Sequence, residues 1–229
     1  AGGGAEHSGT FVPPEGCGGY VTVQARGCKV SHHYRCAGDA PGDQWRADFG
    51  QGGLYFLSRI DRETRWVESR SLDPESVQVL AGGAAPASFT RLLETGEDRF
   101  DFLLLRDDGR ESRVVGHDVL TGRVLVIDGV RLLETAFAYE ETDRDGGLVH
   151  RARGNEHAHA GWRLFLSGPT RIDFGEGEMV IDHSPLKFIF PGEAGFMSTM
   201  PLFDCDALMS QDRAGGATAA GLRRRGEQE

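Results

Sequence analysis

From Tyr20 onward the chain runs as short segments in which apolar and polar residues alternate, each bounded by Gly, Asp or Pro: "YVTVQA", "CKVSHHYRC", "QWRADF", "GLYFLSRI" and "TRWVESRS". A period of two sends successive side chains to opposite faces of a strand and gives no continuous stripe along a helix. The 33 glycines of the 229 residues fall mainly between these segments rather than in low-complexity tracts, as the turns of a many-stranded protein require. "SRIDRETRWV" reads as a hairpin around Asp61, Arg62 and Glu63. The clearest helix is "LDPESVQVLAGG", at most two turns long, with Asp73 as N-cap, Pro74 in the first turn, Glu75 near the positive end of the dipole and Gly82 as stop.

The second half repeats five residues: "RLLETGEDRFDFLLLRDDGRES" begins at Arg91 and "RLLETAFAYEETDRDGGLVHRA" at Arg131, each followed by apolar alternation and an Asp-Gly turn. A duplicated hairpin and the reuse of a good strand word explain this equally, and either makes the region antiparallel meander. "GWRLFLSG", "TRIDFG" and "MVIDHSPLKFIFPG" continue it, with Pro185 marking an edge or a bulge. The fold class expected is all-β, mainly antiparallel: a strongly curved meander sheet forming a half-barrel or barrel, with one or two short helices. Residues 1–16 are read as a flexible N-terminal segment, 17–209 as a single β-rich domain and 210–229, including Arg223 to Arg225, as a disordered tail.

With 25 basic and 35 acidic residues the net charge is −10, which argues against nucleic-acid binding. No stretch reaches the roughly 18 consecutive apolar residues of a membrane span. The start without methionine fits removal of a signal peptide and fits a trimmed chain equally. Cys17, Cys28, Cys36 and Cys205 are even in number and form no CxxC pair, so two disulfides in an oxidising compartment are expected. If "CKVSHHYRC" is one extended strand, its two cysteines are eight residues apart at about 3.3 Å each, too far to bridge. Cys205 should therefore tie the C-terminal region to Cys28 or Cys36, with Cys17 taking the other.

The meander from about Cys28 to Phe190, with a short helix in "DPESVQVLA" between early strands, resembles the periplasmic LolA/LolB-like half-barrel superfamily. The disulfides and the ending "FPGEAGFMSTMPLFDC" depart from that group. The resemblance implies a periplasmic or secreted protein that holds acyl chains or acts in envelope upkeep without catalysis, its partner a lipid, a lipoprotein or an envelope protein.

Two groups of residues could carry function. The first is apolar: Trp45, Phe49, Tyr55, Phe56 and Trp66 early in the chain, and Phe188, Phe190, Phe196, Met197 and Met200 late in it. Methionine and phenylalanine make an adaptable surface suited to acyl chains, although the late group could equally close the core under the Cys205 bridge. All four methionines, Met179 and Met209 included, lie in the last fifty-odd residues. The second group is "GNEHAHAGW". If Gly154 and Asn155 form a two-residue hairpin turn, His150 faces His159 and shares a face with His157, a geometry that can supply three zinc ligands. On that strand His157 and His159 fall on the wetter face. His32, His33, His117 and "DHS" at Asp182 to Ser184 add candidates without better spacing. No G-x-S-x-G, P-loop, G-x-G-x-x-G or H-E-x-x-H motif is present, and "DRDGG" lacks the later ligands of a calcium loop. The chain is therefore read as a non-enzymatic binding protein without a cofactor, with a zinc protein or metal-dependent enzyme as the alternative.

Overall fold

The computed structural model describes residues 9–205. Met209, residues 1–8 and the tail 210–229 lie outside them. The strands are β1 (Cys17–Ala25), β2 (Lys29–Cys36), β3 (Gln44–Gly50), β4 (Gly53–Ile60), β5 (Trp66–Leu72), β6 (Glu75–Ala85), β7 (Glu97–Arg106), β8 (Glu111–Ile127), β9 (Val130–Asp143), β10 (Leu148–His159), β11 (Leu164–Asp173), β12 (Glu178–Asp182) and β13 (Pro185–Ile189). One helix, α1 (Phe89–Thr95), stands between β6 and β7. All thirteen strands form one antiparallel sheet in which β1 to β12 follow in sequence order and β13 pairs with the far side of β1. This is the curved all-β meander expected from the alternation.

The curvature follows from the connection between the two edge strands. Only His183 and Ser184 separate β12 from β13, so three Cα steps of 3.8 Å keep Asp182 and Pro185 within about 11 Å. A flat sheet would hold strands twelve places apart at more than about 50 Å. The sheet must therefore roll through most of a turn, although no ladder joins β12 to β13 and the roll stays open. Its two ends meet in a core of Val21 and Val23 from β1, Phe188 from β13, Leu164 and Leu166 from β11, and Val130 and Leu132 from β9.

Strand β1 is buried on both faces from Val21 to Ala25. One face belongs to that core; the other is covered by residues 196–205. Thr22 Oγ1 accepts a hydrogen bond from Met197 N (2.9 Å), and Gln24 donates to Met200 O and accepts from Leu202 N, both at 3.0 Å. The Met197 side chain lies over Gly19, where a Cβ would stand 1.7 Å from its terminal carbon. Residues 9–11, at the start of the segment expected to be loose, join this layer: Phe11 donates its N–H to Met197 O and packs against Phe49 and Tyr34. The disulfides are Cys28–Cys205 and Cys17–Cys36, one of the two pairings left open by strand length, and Cys17 and Cys36 are register partners at the open end of the β1–β2 hairpin.

Two sequence expectations are corrected. "LDPESVQVLAGG" is not a helix: residues 75–85 are strand β6, paired with β5 and β7. Two turns of helix are marginal without tertiary support, whereas the Val77/Val79 alternation fits a strand between two neighbours. The helix instead contains the first copy of the repeated pentapeptide. Arg91–Thr95 is helical because Ser88 Oγ caps Arg91 N and Gly96 terminates the turn in the left-handed conformation. The second copy, Arg131–Thr135, lies in β9 between Val130 and Ala136, neither of which can cap a helix. The repeat is therefore not a duplicated hairpin. The turn at residues 61–65 is where the sequence placed it, with Asp61 Oδ1 accepting from Glu63 N and Arg65 N.

Candidate functional site: a polar and aromatic cavity inside the rolled sheet

Alternation places one side chain in two from each central strand on the inner surface of the roll. There they enclose a cavity of about 130 Å³ whose lining comes from β2, β3, β4, β5, β7, β8, β9, β10 and β11. One wall is aromatic. Trp66 meets the edges of Phe102 and Tyr139 at 5.4 and 5.5 Å between ring centres, with Phe100 and Phe137 beside them. Such tilted and edge-to-face contacts fix ring positions as well as burying area.

The opposite wall carries charge. On β2 and β3, His33 and Arg46 line the cavity, and alternation places Lys29 and Ser31, which line a smaller adjoining pocket, beside Asp48. The Asp48 carboxylate, 2 % exposed, accepts hydrogen bonds from Lys29 Nζ at 2.9 Å and the Ser31 hydroxyl at 2.6 Å, with Arg46 Nε 3.2 Å away but not aligned to donate. Burial alone would raise its pKa, but Arg46, Lys29 and these hydrogen bonds outweigh burial and hold it far below the carboxylate range. His33, register partner of Arg46, is pushed down to about 3 by burial and by the guanidinium beside it, and its Nε2 has no hydrogen-bond partner.

Two carboxyls complete the lining. Glu156 on β10 is pushed up to about 8, first by burial and then by Asp118, with Arg46 opposing; Asp118 on β8 is pushed up to about 7 by burial and by Asp98. Neither carboxyl forms an ion pair or hydrogen bond among the described residues. Burial thus favours the protonated form of both carboxyls, which face the cavity. Behind the aromatic wall, Tyr139 Oη and His150 Nε2 stand 3.1 Å apart, His150 Nδ1 lies 3.4 Å from Glu141, and Ser112 donates to Glu141 at 2.6 Å. The serine is bonded to the carboxylate rather than to the imidazole, so the three do not form a nucleophile–base pair.

Of the apolar candidates from the sequence, Trp45 and Trp66 line the cavity. Phe56 is next to it, with the Arg46 guanidinium 5.4 Å from its ring centre. Phe49 lies in a separate core with Val30, Tyr34 and Ala47. Phe188 is in the core where the sheet's ends meet, with Phe190 packed on it. Phe196 and Met197 close over Gly19, while Tyr55 and Met200 are 40% and 38% exposed. The late group thus covers β1 instead of lining a concavity.

The histidine hairpin does not form. Strand β10 runs unbroken through Gly154 and Asn155, which pair with Phe137 and Ala136 of β9. Gly154 sits at a register shift against β11, and a Cβ there would stand 2.2 Å from Pro169 O. It is a glycine of close approach rather than of a turn. His150 and His157 are therefore seven residues apart on one strand, about 23 Å. His157 is buried rather than wet, and His159 stacks on Trp162 at 3.7 Å. Among the described residues no three His, Cys, Asp or Glu side chains are grouped to hold a metal ion. The "DRDGG" turn is organised by Asp143 Oδ1, which accepts from Asp145 N and Gly147 N.

Sequence reading did not single out Arg46, Asp118, Glu156, Tyr139 or Phe102 as a group. They stand on five strands, and only the roll unites them. No protein-family model, curated protein or solved structure matches the chain.

Proposed function

We propose that this chain is a non-enzymatic binding protein of the cell envelope, periplasmic or secreted, that holds a small amphiphile inside its rolled sheet. The observation that carries the reading is the cavity itself, with aromatic rings on one wall and unpartnered polar side chains on the other. Leaving His33, Asp118 and Glu156 without partners in the interior works against stability. A site that accepts a ligand at those positions gives them a use, and such pockets pair an apolar wall with a few polar groups that fix orientation.

Size narrows the ligand. About 130 Å³ is close to the ~150 Å³ of an engineered cavity that takes benzene. It suits one ring or the end of one acyl chain, not a whole two-chain lipid. The two disulfides fit an oxidising, extracytoplasmic environment, and no helix among the described residues is long and apolar enough to cross a membrane.

Native mass spectrometry of the protein purified from its own envelope fraction tests the proposal, together with intrinsic fluorescence, since Trp45 and Trp66 line the cavity. A co-purifying small mass, or a saturable 1:1 fluorescence change with a short amphiphile that is lost on filling the cavity by Ser167→Phe, at a lining residue of β11, supports it. A bare chain mass with no saturable response to any amphiphile tried rejects it.

A further inference from the structure

The cations in and beside the cavity are not equally engaged: Arg46 and Arg65 line it, and Lys29 lines a smaller adjoining pocket. Lys29 is paired with Asp48 at 2.9 Å. Arg65 donates to Ala87 O at 3.1 Å and lies 3.6 Å from Asp61. Arg46 differs from both. Its Nε lies 3.2 Å from Asp48 but out of hydrogen-bond alignment, and no acceptor among the described residues takes a hydrogen bond from its guanidinium. Phe56 backs the group at 5.4 Å. Lys29 and Arg46 share the single Asp48 carboxylate, and Lys29 holds it by the shorter contact.

We propose that the polar end of the ligand is a carboxylate seated on the Arg46 guanidinium, so that the cavity takes a small aryl- or alkyl-carboxylic acid. The proposal rests on the reading of the cavity as a binding site. A guanidinium offers planar pairs of N–H donors that match the two oxygens of a carboxylate, and here they are free. Asp118 and Glu156 do not compete for them while uncharged, and each can donate its own O–H to the same anion. A cationic ligand would meet the Arg46 guanidinium. A phosphate monoester would bring a second negative charge to the same single guanidinium. The aromatic wall of Trp66, Phe102 and Tyr139 receives the ring or chain.

Calorimetry at pH 6 with phenylacetate and 2-phenylethanol, which differ in the carboxylate, tests this on the intact protein. At that pH the probe is ionised, burial favours protonated Asp118 and Glu156 and neutral His33, and Lys29 lies against Asp48. Phenylacetate is expected to bind about ten- to a hundredfold more tightly, the scale of a hydrogen-bonded charge. Arg46→Gln should bring the two probes to equal affinity, and Arg46→Lys should restore part of the difference. The wild-type comparison decides even if a variant folds poorly. Equal binding by the wild type overturns the carboxylate assignment and leaves the cavity reading standing. Binding of neither probe up to millimolar concentration overturns both.

Discussion

Glu156 and Asp118 favour their protonated forms because the fold removes them from water and gives them no cation within ion-pair distance. A carboxyl whose folded pKa is raised contributes most to stability below its unfolded pKa and loses that contribution as pH rises through the folded one. For Glu156 the window runs from 4.5 to about 8. Glu156→Gln, which cannot ionise, should therefore flatten the alkaline loss. Relative to wild type it should gain about 2 to 4 kcal/mol between pH 4.5 and 8.5, read by urea unfolding. Unchanged pH dependence would count against a buried, protonated Glu156. Acidification acts through other groups. Asp48, depressed by Arg46 and Lys29, supports the fold above about pH 4, and His33, neutral when folded, must charge between pH 6.5 and about 3; both contributions fall as pH falls. A third residue-scale expectation concerns Gly19: a methyl group there meets Met197, so Gly19→Ala should cost about 1 to 3 kcal/mol through overpacking, measured as a lower urea midpoint with unchanged m-value.

At the scale of the element, one pentapeptide is helical at Arg91 and extended at Arg131. What differs is the flanks: Ser88 and Gly96 against Val130 and Ala136. Ser88 also binds Glu63 through its hydroxyl, and Glu63 in turn holds Thr90 and Arg163. Ser88→Ala should destabilise by about 1 to 2 kcal/mol, more than an isolated cap of this kind, and the loss should show first as weaker amide protection over residues 89–95. The same contrast shows what could be read in advance. Alternation identified the strands around Tyr20, Trp45 and Trp66 because packing there follows the local period. It missed α1, whose cap is a single serine, and it misread Gly154, because a glycine that admits a neighbouring strand looks in sequence like a glycine that turns the chain. Trp45 and Trp66 were legible as aromatic candidates. Arg46, Asp118 and Glu156 were not, since their meeting depends on strands up to about a hundred residues apart curling round one space.

At the scale of the molecule, the two disulfides constrain different lengths of chain: 177 residues for Cys28–Cys205 and 19 for Cys17–Cys36. In the chain-entropy account these are worth about 5 and about 3 kcal/mol. Cys205→Ser paired with Cys28→Ser should therefore lower stability about 2 kcal/mol more than Cys17→Ser paired with Cys36→Ser, by urea unfolding under non-reducing conditions. The β1–β2 hairpin can form within its own twenty residues, whereas β13 reaches β1 only after every strand between them has been laid down. Joining such remote partners makes a fold of high contact order slow to complete. Oxidative refolding should then pass through a species that holds the Cys17–Cys36 bond alone, and its last event should be the chain's two extremities coming together to seal the roll.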